Sequence, residues 1–155
     1  MMLSMIEFRL ANPDFRRVVR EHSLAQGFLA HIGCVLTIIE PGYVEAEMPL
    51  EHRHHQQLGF AHGGITATIA DTVAGFAGFT LVAEHEHTVT AELKISYFAP
   101  GIGSRLRAVG RVVKPTRHFH FTEAEVFVLQ PDSTEKLIAK ATATMAIIQP
   151  SLRHA

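Results

Sequence analysis

The chain has 155 residues, 47% of them hydrophobic and 19% charged, with a formal net charge of −1. That suits a single globular domain that buries its core without disulfides or metals, and it leaves no cationic footprint for nucleic acid. No apolar run reaches the roughly 18 residues of a membrane span, the start MMLSMIEFRLANPDFRR lacks a signal peptide's apolar core, and the lone Cys34 fits a reducing compartment, so a cytoplasmic protein without a membrane partner is expected.

An N-terminal helix is expected over about residues 12–26. Asn12 suits an N-cap, Pro13 the first helical position and Asp14 the first turn. Phe15, Val18, Val19 and His22 follow at helical spacing until Gly27 interrupts them. The apolar segment Ile32 to Ile39, the turn Pro41-Gly42 and the alternating run Tyr43 to Leu50 predict a hairpin. Glu51 to Phe60 is polar and irregular and reads as a loop. Gly63-Gly64 then opens a long helix, ITATIADTVAGFAGFTLVA. One face carries Ile65, Ile69, Val73 and Phe76, and another carries only small residues, Ala67, Ala70, Ala74 and Gly78. A helix apolar on nearly all sides is expected to be buried on nearly all sides.

Four strands are predicted after it. In Val89 to Phe98, the apolar set Val89, Ala91, Leu93, Ile95 and Tyr97 alternates with Thr90, Glu92, Lys94 and Ser96. Pro100-Gly101 turns the chain into a strand with Arg105, Arg107 and Arg111 on one parity. His118 to Leu129 and Leu137 to Ile148 complete the set, separated by the turn Pro131-Asp132-Ser133. This order predicts one α+β domain spanning residues 1–155, with a long helix inside a curved antiparallel sheet.

Asp71 is the only charged side chain between Gly63 and Ala83. A lone carboxylate on a buried helix is costly unless it is paired, hydrogen-bonded or kept for chemistry. In an apolar cleft it suits a general base or a nucleophile. The start of the same helix offers free N–H groups and a positive dipole end, which favour an oxyanion. Gly64 and Asp71 are seven residues apart, roughly 10 Å along the axis. If both serve one carbonyl, they come from two chains with antiparallel helices, and the small-residue stripe is the expected contact face. His62 is expected to fix the loop by hydrogen bonds. His52, His54 and His55 have no cysteine or HExxH partner, so no metal is expected. His85 and His87 read as solvated, and His118 and His120 as lining a groove.

The segment Gln56-Gln57-Leu58-Gly59-Phe60-Ala61-His62-Gly63-Gly64, with Asp71 nine residues after His62, resembles the signature of hotdog-fold acyl-CoA thioesterases. The group it resembles is the phenylacetate-degradation (PaaI-like) and 4-hydroxybenzoyl-CoA thioesterase-like family. The resemblance covers roughly Ile32 to Ile148. It implies the hotdog fold, dimers pairing into a homotetramer, no cofactor, and hydrolysis of acyl-CoA to acid and CoA. Gly64 resembles the amide that polarises the thioester carbonyl. Asp71 resembles the catalytic acid, Gln56 the amide that holds the carbonyl or the water, and Thr90 a hydroxyl near that water. His62, Gly63 and Phe60 fall at the substrate, and Phe76 and Phe79 join Phe60 in shaping an aryl or medium-chain acyl pocket. The basic residues Arg105, Arg107, Arg111, Lys114 and Arg117 fall within thirteen positions. They are either a solvated strand face or a site for the CoA phosphates, for which Lys114, Arg117 and His118 are the candidates. Two other functions stand beside the thioesterase: a hydratase or dehydratase built on a His62–Asp71 pair, and a non-catalytic acyl-CoA-binding module.

Overall fold

The computed structural model describes residues 8–150. Its elements, in chain order, are α1 (Phe15–Ala25), α2 (Gly27–Ile32), β1 (Val35–Glu40), β2 (Tyr43–Pro49), α3 (Gly63–Phe79), β3 (His87–Tyr97), β4 (Arg105–Pro115), β5 (Phe119–Leu129) and β6 (Glu135–Ile148). A single 3₁₀ turn, His52–His54, lies in the loop before α3. The strands form one antiparallel sheet in the order β1-β2-β4-β5-β6-β3, and α3 packs across strands β2 to β6. This is the α+β hotdog arrangement.

The N-terminal signals act slightly differently from the prediction. The Asn12 side chain accepts from the Asp14 amide at 2.9 Å, so it closes a turn, and the helix proper begins at Phe15. Phe15 and Val19 are buried, which anchors α1 to the core. The apolar run beginning at Ile32 is not one strand. Ile32 ends α2, and Gly33 takes a left-handed φ of 74°. The amides of Gly33 and Cys34 return to Ala30 and Leu29, the pattern that ends a helix with glycine just past its last turn. Cys34 is buried, and burial pushes its thiol up to about 11.

Helix α3 lies on the sheet through Ile69, Val73 and Phe76, all buried. Most of the small-residue stripe lies on the same side. Ala70, Ala74 and Gly78 are buried within the chain's own core, with Gly78 against His120 and Met145. The stripe is therefore spent inside the protomer and is not a free contact face. The reason is Gly110 of β4, where a Cβ would collide with the backbone of Val73 and Ala74. Small residues on the helix and glycine on the strand let the two backbones touch. The face left half-open carries Gly64, Thr68, Asp71 and Gly75 instead.

His120 is buried on β5, and its Nδ1 lies 3.0 Å from the Gly78 carbonyl, so that nitrogen carries the proton. Burial holds its pKa below the usual value. It is a core hydrogen-bond donor, not a groove residue.

The Gly110 contact predicts that Gly110→Ala lowers stability by about 1–3 kcal/mol through overpacking, a fall in Tm of several degrees. Gly27→Ala, where a Cβ meets nothing within 4 Å, leaves Tm unchanged or raised. Thermal unfolding of both variants checks the contrast.

Candidate active site

The start of α3 is capped by His62. Its backbone is extended (φ −61°, ψ 137°), and its Nδ1 accepts from the Gly64 amide at 2.8 Å. The His62 carbonyl takes the amides of Ile65 and Thr66. The sequence points to Gly64 as the oxyanion donor, but that N–H is already given to the imidazole. The Gly63 N–H has no acceptor among the described residues. The free donor at this helix start is therefore Gly63. The geometry also separates His62 from Asp71, because the imidazole is folded back on the first turn, more than two turns from the carboxylate. Within one protomer, the described residues form no His62–Asp71 pair.

Asp71 lies half-buried on the open face of α3, where a charge stays partly hydrated. The Thr90 hydroxyl donates to Asp71 Oδ1 at 2.7 Å. Strict alternation would put Thr90 on the outer face with Glu92 and Lys94. A β-bulge prevents this. The register of β3 against β6 slips between Thr90 and Glu92, leaving Ala91 as the extra residue. Before the bulge, Thr88 and Thr90 face α3: Thr88 bonds the Gly75 carbonyl at 3.2 Å and Thr90 meets Asp71. After it, Leu93 and Ile95 pack against the core. The bulge thus re-aims one hydroxyl at the carboxylate without exposing the apolar residues beyond it.

Two clefts flank α3. One, of about 330 Å³, holds Asp71 and Thr90 between Phe76, Phe79 and His87, under residues of α2 and the turn before it. The other, of about 650 Å³, lies at the helix start and is lined by Phe60, Gly63, Gly64, Tyr97 and the Phe98–Gly101 segment. Tyr97 fixes this end by donating to the Gly63 carbonyl at 2.8 Å. Asp71 and the Gly63 amide therefore face different clefts of one protomer.

The remaining predicted residues divide. Phe60 lines the second cleft and Phe76 and Phe79 the first, so these aromatics do not share one pocket. Gln56 lines neither cleft. It closes its own loop, with its side-chain oxygen accepting from the Leu58 amide and its backbone N–H given to Phe60. Arg105, Arg107 and Arg111 are spent in ion pairs with Glu47, with Glu45 and Glu135, and with Glu123 and Glu125, which makes them a solvated strand face. Lys114, Arg117 and His118 are exposed at the β4–β5 turn and line neither cleft. His54 is buried, and its Nδ1 accepts from the Glu51 amide at 3.1 Å, so it caps the 3₁₀ turn. Among the described residues no three His, Cys, Asp or Glu side chains converge as a metal site would require.

No sequence pattern pointed to the N-terminal residues that line the Asp71 cleft. Gln26, Phe28 and Leu29 line it from the α1–α2 turn and α2. His87 is not solvated but stacked on Phe79, with ring centroids 4.4 Å apart. Its Nδ1 lies 3.0 Å from the Thr88 carbonyl, which only accepts, so Nε2 is the acceptor facing His22 Nδ1 at 3.3 Å. Burial, and then the nearby His87, hold His22 below its usual pKa.

Comparison with known proteins agrees with this architecture. The pattern of the thioesterase superfamily matches residues 58–134. The proofreading thioesterase EntH of Klebsiella pneumoniae is 33% identical over 99 residues, 64% of this chain and 72% of that protein. A thioesterase family protein from Silicibacter pomeroyi superposes with a TM-score of 0.86 at 32% identity, over 88% of this chain and 99% of that one. A Bacillus halodurans protein solved with CoA superposes with a TM-score of 0.74 at 26% identity, over 89% of each chain.

The cap geometry predicts that His62→Ala destabilises the protein by about 1 kcal/mol, while His62→Asn, which keeps an acceptor at the cap, stays near the wild type. Chemical denaturation of the two variants measures the difference.

Proposed function

The chain belongs to the thioesterase superfamily and is a thioester hydrolase, and from that premise we propose that it cleaves acyl-CoA substrates in a site shared between two protomers. The observation that carries this reading is the Thr90–Asp71 hydrogen bond on the wall of an aromatic-lined cleft. Thr90 orients one carboxylate oxygen and leaves the other for water or the thioester carbon. Asp71 then acts as a general base on water that displaces the CoA thiolate, or attacks the carbonyl carbon directly, breaking the C–S bond and releasing the CoA thiolate, to form a mixed anhydride that water opens to the acid. In both routes the carbonyl oxygen gains charge, and the Gly63 amide at the positive end of α3 is the donor for it.

A shared site is supported by the geometry of one protomer. The donor and the carboxylate face different clefts, so antiparallel pairing of two α3 helices is the arrangement that joins them. The half-open strip Gly64, Thr68, Asp71 and Gly75 suits such a pairing. The sheet ends at β3, an exposed edge that a second copy extends. Pairing of dimers into a homotetramer extends the same reading.

Phe76 and Phe79 beside Asp71 favour an aryl or medium-chain acyl group. The CoA phosphates fall to Lys114 and Arg117, which are in no ion pair among the described residues, with His118 beside them. Gln56, lining neither cleft, is read as a loop-holding residue that brings Phe60 to the substrate. The proposed setting is the cytoplasm, where the sole cysteine stays reduced.

Free-thiol release from a panel of aryl, short, medium and long acyl-CoAs tests the reaction. Asp71→Asn keeps the side-chain shape and removes the base or nucleophile, and turnover falls by at least about 10²-fold. Unchanged turnover in this variant contradicts the assignment of Asp71.

A further inference from the structure

The Asp71 cleft is bordered by a helical segment tied down at two places. Leu29 of α2 is buried in the core, and Gly33 ends the helix sharply behind it. On the other side, His22 lies on α1 one turn after the buried Val19 and two after the buried Phe15. It packs on Phe79 with ring centroids 5.1 Å apart and bonds His87 on β3. The proton order Thr88 carbonyl, His87, His22 uses both nitrogens of His87, so this ring offers the cleft an apolar face. Between these ties the first turn of α2 presents Phe28, which lines the cleft although it is 58% exposed. Phe28 shares this cleft with Phe76 and Phe79, and an exposed aromatic there gains by losing water contact when an apolar group enters.

We propose that Phe28 is a specificity-determining residue that grips the far end of the acyl group against Phe76 and Phe79, and that His22 is a positioning residue that holds this segment through His87. The proposal rests on the reading of the Asp71 cleft as the acyl site. It makes the occupant an aryl or long apolar acyl group that reaches from the carbonyl carbon beside Asp71 to Phe28. A two-carbon acyl group does not reach that far.

The test compares kcat and KM for phenylacetyl-CoA, octanoyl-CoA and acetyl-CoA in the wild type, Phe28→Ala, Phe28→Leu, His22→Ala and His22→Asn. Phe28→Ala lowers kcat/KM for the two larger substrates by about tenfold, mainly through KM, and changes acetyl-CoA by less than about twofold. Phe28→Leu retains more for octanoyl-CoA than for phenylacetyl-CoA. His22→Ala shows a smaller loss with the same substrate selectivity, and His22→Asn, whose amide N–H can still reach His87, recovers part of it. An equal effect on all three substrates, or none, in both Phe28 variants overturns the proposal. A loss in His22→Ala that is not substrate-selective removes His22 from it. Asp71→Asn is measured alongside. If that variant is fully active, the cleft assignment fails and the proposal falls with it. If it is inactive while the Phe28 variants match the wild type, the proposal alone fails.

Discussion

The seat of α3 on β4 is the constraint from which the rest of the structure follows. Gly110 leaves no room for a Cβ between the strand and the Val73–Ala74 backbone, so the helix lies directly against the strand in a single rotation there. That rotation commits Ile69, Val73, Ala70 and Ala74 to the core. By helical periodicity it turns Gly64, Thr68, Asp71 and Gly75 outward. The carboxylate is thus presented by packing, on a rigid element rather than a loop. Its partner hydroxyl comes from a strand whose bulge sets the matching side. A site built this way needs little ordering when substrate arrives.

Much of this was legible in the sequence because the signals were periodic. The long apolar helix, the strand alternation and the Pro-Gly turns each have a local cause, and together they give the element order. Asp71 stood out because charge is scarce on such a helix. What the sequence did not carry is equally physical. The bulge at Ala91 depends on register against β6, so alternation alone grouped Thr90 with Glu92 and Lys94, from which the bulge separates it. The capping of Gly64 depends on the rotamer of His62, and the same motif can be read with either glycine as the free donor. The small-residue stripe fits a close contact with any neighbour, and the neighbour is β4 of the same chain. Gln26, Phe28 and Leu29 reach the cleft only through the tertiary placement of α1 and α2. No periodicity announces that.

In the proposed reading, the two clefts along α3's open strip have different duties. The helix start carries the free Gly63 N–H that the proposed mechanism assigns to the oxyanion, and its first turn is held by His62 and Tyr97. The middle of the helix carries the carboxylate, set among aromatic walls. In the proposed dimer, helices paired antiparallel place the start of each against the middle of the other, so one symmetric pairing would complete two sites.

Complementation between two inactive variants tests that central claim most directly. Gly63→Pro removes the free N–H at the first helical position, where proline is accepted, and His62 already has the extended backbone that proline demands of its predecessor. Asp71→Asn removes the carboxylate. The two proteins are unfolded, mixed in equal amounts and refolded together, and thiol release is compared with each refolded alone. A shared site predicts recovery to about a quarter of wild-type turnover, because half of the dimers are mixed and each holds one intact site. No recovery in mixtures shown by mass to contain the mixed dimer contradicts a site shared between protomers.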